Sequence, residues 1–413
     1  MYSLVFQIYV WLFHLVALFN KKAAKMVRGQ RETYDRLSQA LQPDDRVLWF
    51  HAASLGEFEQ GRPLMEEIRR NHPRYKLLLT FYSPSGYEVR KDYAGADVVC
   101  YLPFDTPSNV HRFLKLAHPA QAFFIKYEFW PNYLLQLGLR KVPVVLVSGI
   151  FRPGQAFFRF GGRPFRWMLG RFEHLFVQNR ESAELLAHAG LGQKVEICGD
   201  TRCDRVLAIA SEAKNLFILD EFTGKGSGHP SQVLIAGSSW PADEEKFIPY
   251  FNAHPNLKLI IAPHQIHESH LQYIESLVKR PCVRYSQLTA QNAAGADCVI
   301  IDCFGLLSSI YRYGQMAYIG GAFGAGLHNT LEAAVYGIPV VFGPKYNRFD
   351  EAKALVACGG GVSISSAEEL NACLDRWLSD ATALETAGRA AGDYVRQNSG
   401  STARIYAYVA AGL

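Results

Sequence analysis

Short apolar runs alternate with more polar, helix-like segments along most of the chain. Most runs are the length of a buried strand, and each is followed by Gly, Pro, Ser or Asp and then a more polar segment, such as residues 57–70. This alternation predicts βαβ units and parallel sheets that are covered on both faces. The predicted strands are residues 47–52, 76–82, 97–102, 120–125, 143–148, 233–236, 257–262, 298–302, 316–320 and 339–342.

The alternation weakens near residues 208–232, where Thr223-Gly-Lys-Gly-Ser-Gly-His-Pro-Ser231 is typical of a loop or linker. We therefore predict two doubly wound α/β domains, with the active site in the cleft that they face. Ligands of such sheets bind beyond the carboxyl ends of the strands. The predicted divisions are an anchor at 1–19, a first domain at 20–210, a linker region at 211–232, a second domain at 233–398 and a C-terminal helix at 399–413, whose return to the first domain is left open.

The first nineteen residues are almost wholly apolar and aromatic. This run reaches the low end of the roughly 17–25 residues that a spanning helix needs. Because basic residues follow the run and no small-residue cleavage site does, it predicts a membrane anchor with the rest of the chain in the cytoplasm. A spanning helix and an amphipathic helix in the interface both remain open. No candidate site residue lies in this segment, so its removal is expected to leave much of the chemistry intact. The basic residues are Lys21, Lys22, Lys25, Arg28 and Arg31.

Composition and charge narrow the class of protein. The 413 residues are 49% hydrophobic and 20% charged, which is globular composition with enough apolar side chains for two cores. The net charge of +5 comes without a long Lys/Arg run, so nucleic acid is not an expected partner. None of the eight cysteines forms a Cys-x-x-Cys pair, which favours reduced thiols in the cytoplasm over a zinc site.

The segment His51-Ala-Ala-Ser-Leu-Gly-Glu57 follows the first predicted strand and opens a helix. Small residues, Gly56 among them, allow a tight turn and close approach of a substrate. Glu57 in the first helical turn is a candidate to accept a proton from an acceptor hydroxyl. Ser54 and Glu57 also have the Ser-x-x-Glu spacing of a capping box, and spacing alone favours that structural role. The two roles can coexist in part.

A second segment, Lys126-Tyr-Glu-Phe-Trp-Pro-Asn132, follows the strand at 120–125. Glu128 lies between aromatic residues at a strand end, where partial burial perturbs a carboxyl group. Pro131 suits the first turn of the next helix. An ordinary β–α turn explains this pattern equally well on local grounds.

A third segment, residues 318–332, reads as a strand, a glycine-rich loop and a helix. The glycines allow close approach of a ligand, and a helix N-terminus offers free N–H groups to a phosphate. Asn329 and Glu332 lie one helical turn apart and can address the hydroxyls of a nucleotide. The loop is neither a Walker A nor a Rossmann fingerprint. Glycines that only let a strand turn into a packed helix are the alternative.

Two further loops follow strands of the second predicted domain, Gly237-Ser-Ser-Trp240 and Pro263-His-Gln-Ile-His-Glu268. Their hydroxyls and backbone amides suit a phosphate. His264 and His267 lack an acidic partner at metal-ligand spacing, so solvated or phosphate-facing roles are favoured over a metal site.

Taken together, these segments resemble the Kdo transferases, which attach 3-deoxy-D-manno-octulosonic acid to lipid A precursors. That family shows the patterns His-Ala-x-Ser-x-Gly-Glu, Thr-Glu-x-Trp-Pro-Asn and Gly-Gly-His-Asn-x-Leu-Glu. This chain matches them at residues 51–57, at 127–132 with Tyr127 in place of the Thr, and at 326–332. Each motif alone is weak, but their order and spacing are specific, and the resemblance runs through nearly the whole chain.

The resemblance implies a GT-B fold and an inverting transfer of Kdo from CMP-Kdo to lipid IVA at the cytoplasmic face of the bacterial inner membrane. It implies that Glu57 is the general base and Glu128 a second essential acidic residue. The remaining implied contacts are acceptor-side, at Ser54, Gly56, Trp130 and Asn132, and donor-side, at Arg202, Ser238, Ser239, His264, Gly326, His328, Asn329 and Glu332.

The chain also departs from the family's pattern. Where the family commonly has Pro-Arg-His-Pro-Glu, residues 263–268 lack the Arg, and His264 is a weaker substitute. The family's Gly-Asn-x-Lys becomes Gly199-Asp-Thr-Arg202, which keeps a cation. No Asp-x-Asp motif is present, so no cofactor and no obligatory metal are expected. A UDP-sugar-dependent GT-B transferase and a nucleotide-sugar epimerase remain as alternatives, followed by a non-catalytic membrane-bound sensor.

Overall fold

The computed structural model describes residues 2–159, 161–224, 231–324 and 326–413. The chain divides into two compact units, Met1–Arg205 with Ser399–Leu413, and Val206–Asn398. Most of the glycine-rich linker and Ala325 of the glycine-rich loop lie outside the described residues. Each unit is built on one parallel sheet of seven strands, so the predicted α/β class with two parallel sheets is confirmed.

The sheet of the first unit has the strand order β3-β2-β1-β4-β5-β6-β7, with every pairing parallel. Its strands are β1 (Val47–Ala52), β2 (Lys76–Phe81), β3 (Val98–Tyr101), β4 (Pro119–Ile125), β5 (Val144–Gly149), β6 (His174–Val177) and β7 (Val195–Ile197). The helices up to the end of this region are α1 (Tyr2–Val16), α2 (Lys21–Ala40), α3 (Leu55–Asn71), α4 (Pro84–Arg90), α5 (Pro107–Ala117), α6 (Pro131–Leu139), α7 (Arg163–Gly170), α8 (Arg180–His188) and α9 (Thr201–Ser211).

The second unit has the strand order β10-β11-β9-β8-β12-β13-β14, again with parallel pairings. Its strands are β8 (Gln232–Ser239), β9 (Leu257–Pro263), β10 (Cys282–Arg284), β11 (Cys298–Ile300), β12 (Met316–Ile319), β13 (Val340–Phe342) and β14 (Gly361–Ser363). The later helices are α10 (Phe217–Thr223), α11 (Pro241–Ala253), α12 (Glu268–Leu277), α13 (Ala290–Ala293), α14 (Leu307–Ile310), α15 (Leu331–Ala334), α16 (Asp350–Ala357), α17 (Ala367–Ser379), α18 (Ala381–Gln397) and α19 (Ser401–Ala410).

Both faces of the first sheet are buried, which explains why its strands are continuous apolar runs. All six residues of β1 are buried, with Trp49 in the core on one face and Leu48 and Phe50 in the core on the other. Each such side chain contributes about 1.5–3 kcal/mol on burial. The central strands are therefore fixed in register, and the loops after them are held at defined positions.

The apolar segment at the start of the chain forms α1, which packs one face on the first unit. Val10 is buried, and Phe6 and Phe13 pack against the same core cluster. The opposite face carries exposed apolar side chains, and together with Phe19 just beyond the helix they form what we define as the apolar stripe: Leu4, Ile8, Trp11, Leu15 and Phe19. Within the described residues, no single helix is both long and apolar enough to cross a bilayer. The pair α1 and α2 reaches that length and composition, with a bend of 119° between them.

The last helix, α19, belongs to the first unit although it follows the second in the chain. It lies against α3: the Tyr406 hydroxyl and His72 Nε2 are 3.0 Å apart. Ser401 Oγ donates to the Cys198 carbonyl at 2.6 Å, and Tyr75 Oη donates to the Leu413 carbonyl at 2.6 Å. The first unit is therefore assembled from two separate stretches of sequence.

Candidate functional site

The strand order of each sheet identifies where a ligand is expected. In the first sheet β1 lies between β2 and β4, and in the second β8 lies between β9 and β12, so the connections leave these strands in opposite directions. The loops at such a switch point diverge and leave a crevice. The motifs at 51–57 and 127–132 follow β1 and β4, and the loops at 237–240 and 320–328 follow β8 and β12. Each unit thus has its candidate residues at its switch point.

Glu57 lies in the first turn of α3, whose N-cap is Ser54. Its Oε2 accepts the backbone N–H of Ala53 at 2.6 Å and that of Ser54 at 3.1 Å, so the carboxylate does cap the helix. Its other oxygen, Oε1, makes no hydrogen bond within the described part of the chain, and the side chain is half-buried. The capping bonds fix the orientation of the carboxylate and leave one oxygen for a ligand.

The surroundings of Glu57 favour its neutral form at unusually high pH. Burial and the charge of Glu128 raise the pKa of Glu57 to about 7, against the opposing effects of His51, the Ala53 N–H and Lys126. A carboxylate with a pKa near neutrality is a much stronger base than an exposed one, and it is still ionised at pH 8. This is the arrangement expected of a general base.

Glu128 is buried just after β4, and two ring nitrogens contact its carboxylate. Trp130 Nε1 donates to Glu128 Oε2 at 2.7 Å, and His51 Nε2 lies 3.0 Å from the same oxygen. His51 is itself buried, with its Nδ1 2.9 Å from Thr80 Oγ1. The structure therefore brings the two predicted acidic residues close enough to couple electrostatically, and it adds His51 as a residue that fixes Glu128.

The pH dependence of turnover should report the ionisation of Glu57. Because the carboxylate is the active form of a base, turnover is expected to rise with pH through a midpoint near 7. Glu128→Gln removes a negative charge that raises this pKa, so the midpoint should move to lower pH even where the maximal rate falls. The check is kcat against pH for both proteins. An unchanged midpoint in Glu128→Gln would show that the ionisation seen in kcat does not belong to Glu57.

Asp105 was not predicted, and it organises the acceptor-side residue Asn132. Its carboxylate accepts the backbone N–H groups of Asn132 and Tyr133, both at 3.0 Å, at the start of α6. The Asn132 Nδ2 donates back to the Asp105 carbonyl at 2.5 Å. Burial raises the pKa of Asp105 to about 7, although these bonds act to lower it. No motif points to Asp105, because the sequence places it after β3 and only the fold brings it to α6.

Arg202 lies in the first unit, paired with its neighbour Asp200. The guanidinium Nη2 donates to Asp200 Oδ2 at 2.6 Å, and Nε donates to the same oxygen at 2.9 Å. Burial would raise the pKa of Asp200, but Arg202 and then Lys126 lower it. Lys126 has a positive φ of 70°, a strained conformation for a side-chain-bearing residue. Since Arg202 shares its charge with Asp200, its donor-side role stays a prediction.

In the second unit, the end of β8 is distorted at Ser238. The pairing of β8 with β9 shifts register between Gly237 and Ser239, and Ser238 has a φ of 53°. Such strain in a non-glycine residue is concentrated at functional sites. Gly320 at the end of β12 lies directly against this bulge, since a Cβ there would be 2.3 Å from the Ser238 carbonyl oxygen. The absence of a side chain at Gly320 is therefore a packing requirement.

His264 and His328 form an aromatic stack with Trp240. The rings of Trp240 and His264 are 4.8 Å apart and nearly parallel, and those of His264 and His328 are 4.5 Å apart. Trp240 Nε1 donates to His328 Nε2 at 3.1 Å. Burial and then His264 lower the pKa of His328 to about 4, and burial lowers the pKa of His264. Both rings are thus neutral at pH 7, so His264 does not replace the charge of the family's Arg.

Two buried carboxyl groups that were not predicted hold the loops around this stack. Asp243 accepts from the Gly321 N–H at 2.8 Å and from the Trp240 N–H at 3.0 Å. Glu244 accepts from Ser239 Oγ at 2.8 Å, so the Ser239 hydroxyl is engaged in the fold. Both acids lie in the first turn of α11. An acidic residue in the first turn of a helix that opens with Pro241 was the available signal for Asp243.

Asn329 and Glu332 lie together, as predicted for a pair one turn apart, with Asn329 Nδ2 donating to Glu332 Oε1 at 3.0 Å. The helix they introduce is shorter than expected, because α15 contains only Leu331–Ala334. A single turn has a weak dipole, so phosphate binding by a long helix N-terminus is not available here. Gly326 has a φ of 118°. Ser238 and His264 line a pocket of about 220 Å³ that Phe304 also borders.

Among the residues that the structure describes, no group of three or more His, Cys, Asp or Glu side chains is arranged to hold a metal ion. Within those residues, the fold brings no set of further ligands to His264 or His267 that would complete a metal site. The His267 side chain instead caps α12.

The architecture of two parallel, doubly wound sheets is shared with known nucleotide-sugar enzymes. A UDP-GlcNAc 2-epimerase from Neisseria meningitidis, solved bound to UDP-GlcNAc, superposes with a TM-score of 0.60 over 87% of this chain and 98% of its own. At 14% identity this likeness shows the fold alone. The fold class is therefore the GT-B-like arrangement that the sequence predicts.

Sequence comparisons give the more specific relationship. Residues 28–205 match the family model described as 3-deoxy-D-manno-octulosonic-acid transferase (kdotransferase). The 3-deoxy-D-manno-octulosonic acid transferase of Aquifex aeolicus is 28% identical over 338 residues, 81% of this chain and 86% of its own. That of Haemophilus influenzae is 24% identical over 408 residues, 94% and 92% of the two chains. The resemblance to the Kdo transferases is thus confirmed, and the chain is a glycosyltransferase related to them.

Proposed function

We propose that this enzyme transfers Kdo from CMP-Kdo to a glucosamine hydroxyl of the lipid A precursor lipid IVA, with inversion at the anomeric carbon. The observation that carries the proposal is the Glu57 carboxylate. One of its oxygens is anchored by backbone N–H groups and the other is available, and its pKa is about 7 beside Glu128. The relatives named above are Kdo transferases, which supports this sugar.

The proposed reaction is a single displacement. Glu57 takes the proton of the acceptor hydroxyl as its oxygen bonds to the anomeric carbon of Kdo. The bond from that carbon to the CMP phosphate oxygen breaks, and the phosphate keeps the electron pair. Attack opposite the leaving group inverts the carbon, and no covalent sugar–enzyme intermediate is needed. A positioned base contributes roughly 10²–10⁴-fold to such a step.

The donor is proposed to bind the second unit at the loops after β8 and β12. The Ser238 bulge and the glycine loop expose backbone groups there, and the pocket of about 220 Å³ beside Ser238 and His264 suits part of a nucleotide. His264 and His328 are neutral at pH 7, so they would hydrogen-bond or stack on the donor. Ser239 would act through its bond to Glu244.

The apolar stripe of α1 is proposed to lie in the cytoplasmic leaflet of the inner membrane, as an interfacial helix. Its side chains are exposed, with Leu4 70%, Trp11 64% and Phe19 90% accessible. Lys21 and Lys22 follow at the exposed start of α2, and cations attract anionic headgroups. Because the acceptor is a lipid, this placement would bring the enzyme to its substrate.

The membrane proposal predicts a loss of vesicle binding when a charged side chain is placed in the apolar stripe. Each apolar side chain that enters the interface contributes up to about 1.5–3 kcal/mol, so Trp11→Glu should weaken binding about 10-fold or more. The check is co-sedimentation with vesicles of phosphatidylethanolamine and phosphatidylglycerol. Phe217→Glu, at a residue of the second unit that is 74% exposed, is the matched control. Equal loss in both proteins, or none in Trp11→Glu, would contradict the assignment.

The function is tested by incubating the purified full-length protein with CMP-Kdo and detergent-dispersed lipid IVA, followed by mass spectrometry of the lipid. We expect a mass increase of one or more Kdo residues, and the number is read directly from the spectrum. Excess EDTA is expected to leave the rate unchanged if no metal is obligatory. A lipid of unchanged mass would overturn the proposal.

Two further arms separate the alternatives that the sequence left open. Donor alone, followed by analysis of the sugar, detects an epimerase. Replacing CMP with UDP in thermal unfolding detects a UDP-sugar enzyme, because the nucleotide that binds the folded protein raises its Tm. Stabilisation by CMP and not by UDP is the expected result.

A further inference from the structure

The inner face of α1 contacts residues of the acceptor side directly. Ser3 Oγ donates to Asn132 Oδ1 at 3.1 Å. The ring of Phe6 packs edge-on against Trp130, with 6.3 Å between centroids and 77° between planes. These contacts join the first turns of α1 to the start of α6 and to the segment before it, which also contains Glu128.

A second set of contacts reaches the same segment from its other sides. Tyr2 Oη donates to Asp105 Oδ2 at 3.0 Å, and Asp105 in turn accepts the N–H groups that open α6. Tyr82 lies near Tyr9 of α1, and the centroid of its ring is 4.8 Å from that of Trp130. Trp130 therefore packs against Phe6 of α1 and against Tyr82.

Trp130 links these contacts to the two acidic residues, Glu128 and Glu57. Its Nε1 is 2.7 Å from Glu128 Oε2, and this bond requires the indole to keep its present orientation. Glu128 is in turn one of the groups that sets the ionisation of Glu57. A series of contacts thus runs from α1 through Trp130 to Glu128, whose charge acts on the proposed base.

We propose that α1 is part of the acceptor site and that its inner face positions Trp130, and thereby Glu128, for catalysis. Phe6 and Tyr2 are positioning residues in this proposal, since they act through Trp130 and Asp105. The proposal rests on the proposed function. It differs from the expectation that removing residues 1–19 leaves much of the chemistry intact, because Tyr2, Ser3 and Phe6 contact acceptor-side residues although no candidate site residue lies in that segment.

The test measures transfer to detergent-dispersed acceptor, so that membrane binding does not limit the rate. Phe6→Ala removes the ring that supports Trp130, and kcat should fall on the order of 10- to 100-fold, as expected for a small displacement of catalytic groups. Phe6→Tyr keeps the aromatic edge and should retain most of the activity. Tyr2→Phe removes only the bond to Asp105 and should give an intermediate loss. The KM for CMP-Kdo should change less than twofold in all three proteins.

The pH profile distinguishes positioning from a general loss of structure. With Trp130 displaced, Glu128 loses the N–H donor that holds its carboxylate in place, so its charge acts less strongly on Glu57 and the pKa of Glu57 should fall. Phe6→Ala should therefore move the midpoint of kcat to lower pH, the direction expected for Glu128→Gln. Partial unfolding would lower the amplitude without moving the midpoint. Tyr250→Phe, which removes a Tyr–Asp hydrogen bond of 2.6 Å in the second unit, is the matched control for Tyr2→Phe.

Wild-type kcat and an unshifted midpoint in Phe6→Ala would overturn the inference, as would equal losses in Phe6→Ala and Phe6→Tyr. A lower kcat with a lowered midpoint in Phe6→Ala alone would support it. If the wild-type protein transfers no Kdo at all, the proposed function fails instead, and the two failures are therefore distinguishable.

Discussion

Glu57→Gln is expected to lower turnover on the order of 10²–10⁴-fold while the protein keeps its fold. Glutamine has almost the same shape, and its side-chain oxygen can still accept the N–H groups of Ala53 and Ser54 that Glu57 Oε2 accepts. It cannot take a proton from an acceptor hydroxyl. If capping were the only role of Glu57, the cost would be about 1 kcal/mol of stability at most, with nearly normal turnover.

The measurements are Tm, CMP affinity and turnover on one preparation. Glu369→Gln is a matched control, because Glu369 accepts the Ser365 N–H at 2.6 Å in the first turn of α17 with no candidate site residue beside it. It should show the capping effect alone. A Glu57→Gln enzyme that kept more than about a tenth of normal turnover would fall short of the loss of a general base. Glu57 would then leave the mechanism and Glu128 would become the next candidate.

Gly320→Ala is expected to destabilise the second unit by about 1–3 kcal/mol or more, and to weaken CMP binding. The added Cβ would lie 2.3 Å from the Ser238 carbonyl oxygen and 2.7 Å from the Ser239 Cα. Both are backbone atoms that cannot rotate away, so the Ser238 bulge has to shift. Since the bulge is proposed to contact the donor, affinity should fall together with Tm.

Gly324→Ala is the matched control from the same loop, because a Cβ at that position meets nothing within 4 Å. Thermal unfolding and calorimetric titration with CMP compare the two proteins with the wild type. Unchanged Tm and CMP affinity in Gly320→Ala would mean that the loop adjusts freely, and the donor assignment to these loops would lose its structural basis.

The sequence predicted the central strands well, because burial on both faces leaves a clear apolar run. The prediction for residues 47–52 matches β1 at both ends. It missed β6, β7, β10 and β14, which are short strands at or near sheet edges. Most residues of β7, β10 and β14 are only partly buried, so these strands lack the continuous apolar run of a buried strand of the same length, such as β11.

The motifs located Glu57 and Glu128 but not the groups that hold them. His51 was part of a motif, yet its contact with Glu128 joins β1 to the loop after β4 and has no signal in local spacing. Asp105 and the contacts of Phe6 lie even further from their partners in sequence. The spacing of Ser54 and Glu57 correctly predicted the capping role of Glu57, because a capping box depends only on two residues three positions apart in sequence.

The position of α19 has a consequence for the order in which the protein is made. Helix α3, which begins at the turn that holds Glu57, receives its contact with Tyr406 only from the last helix of the chain. A ribosome synthesises all of Val206–Asn398 before that helix emerges. We therefore expect the nascent first unit to remain incompletely packed on one side of α3 while the second unit is synthesised and folds. The helix that bears the proposed base would be completed only after translation of the second unit has finished.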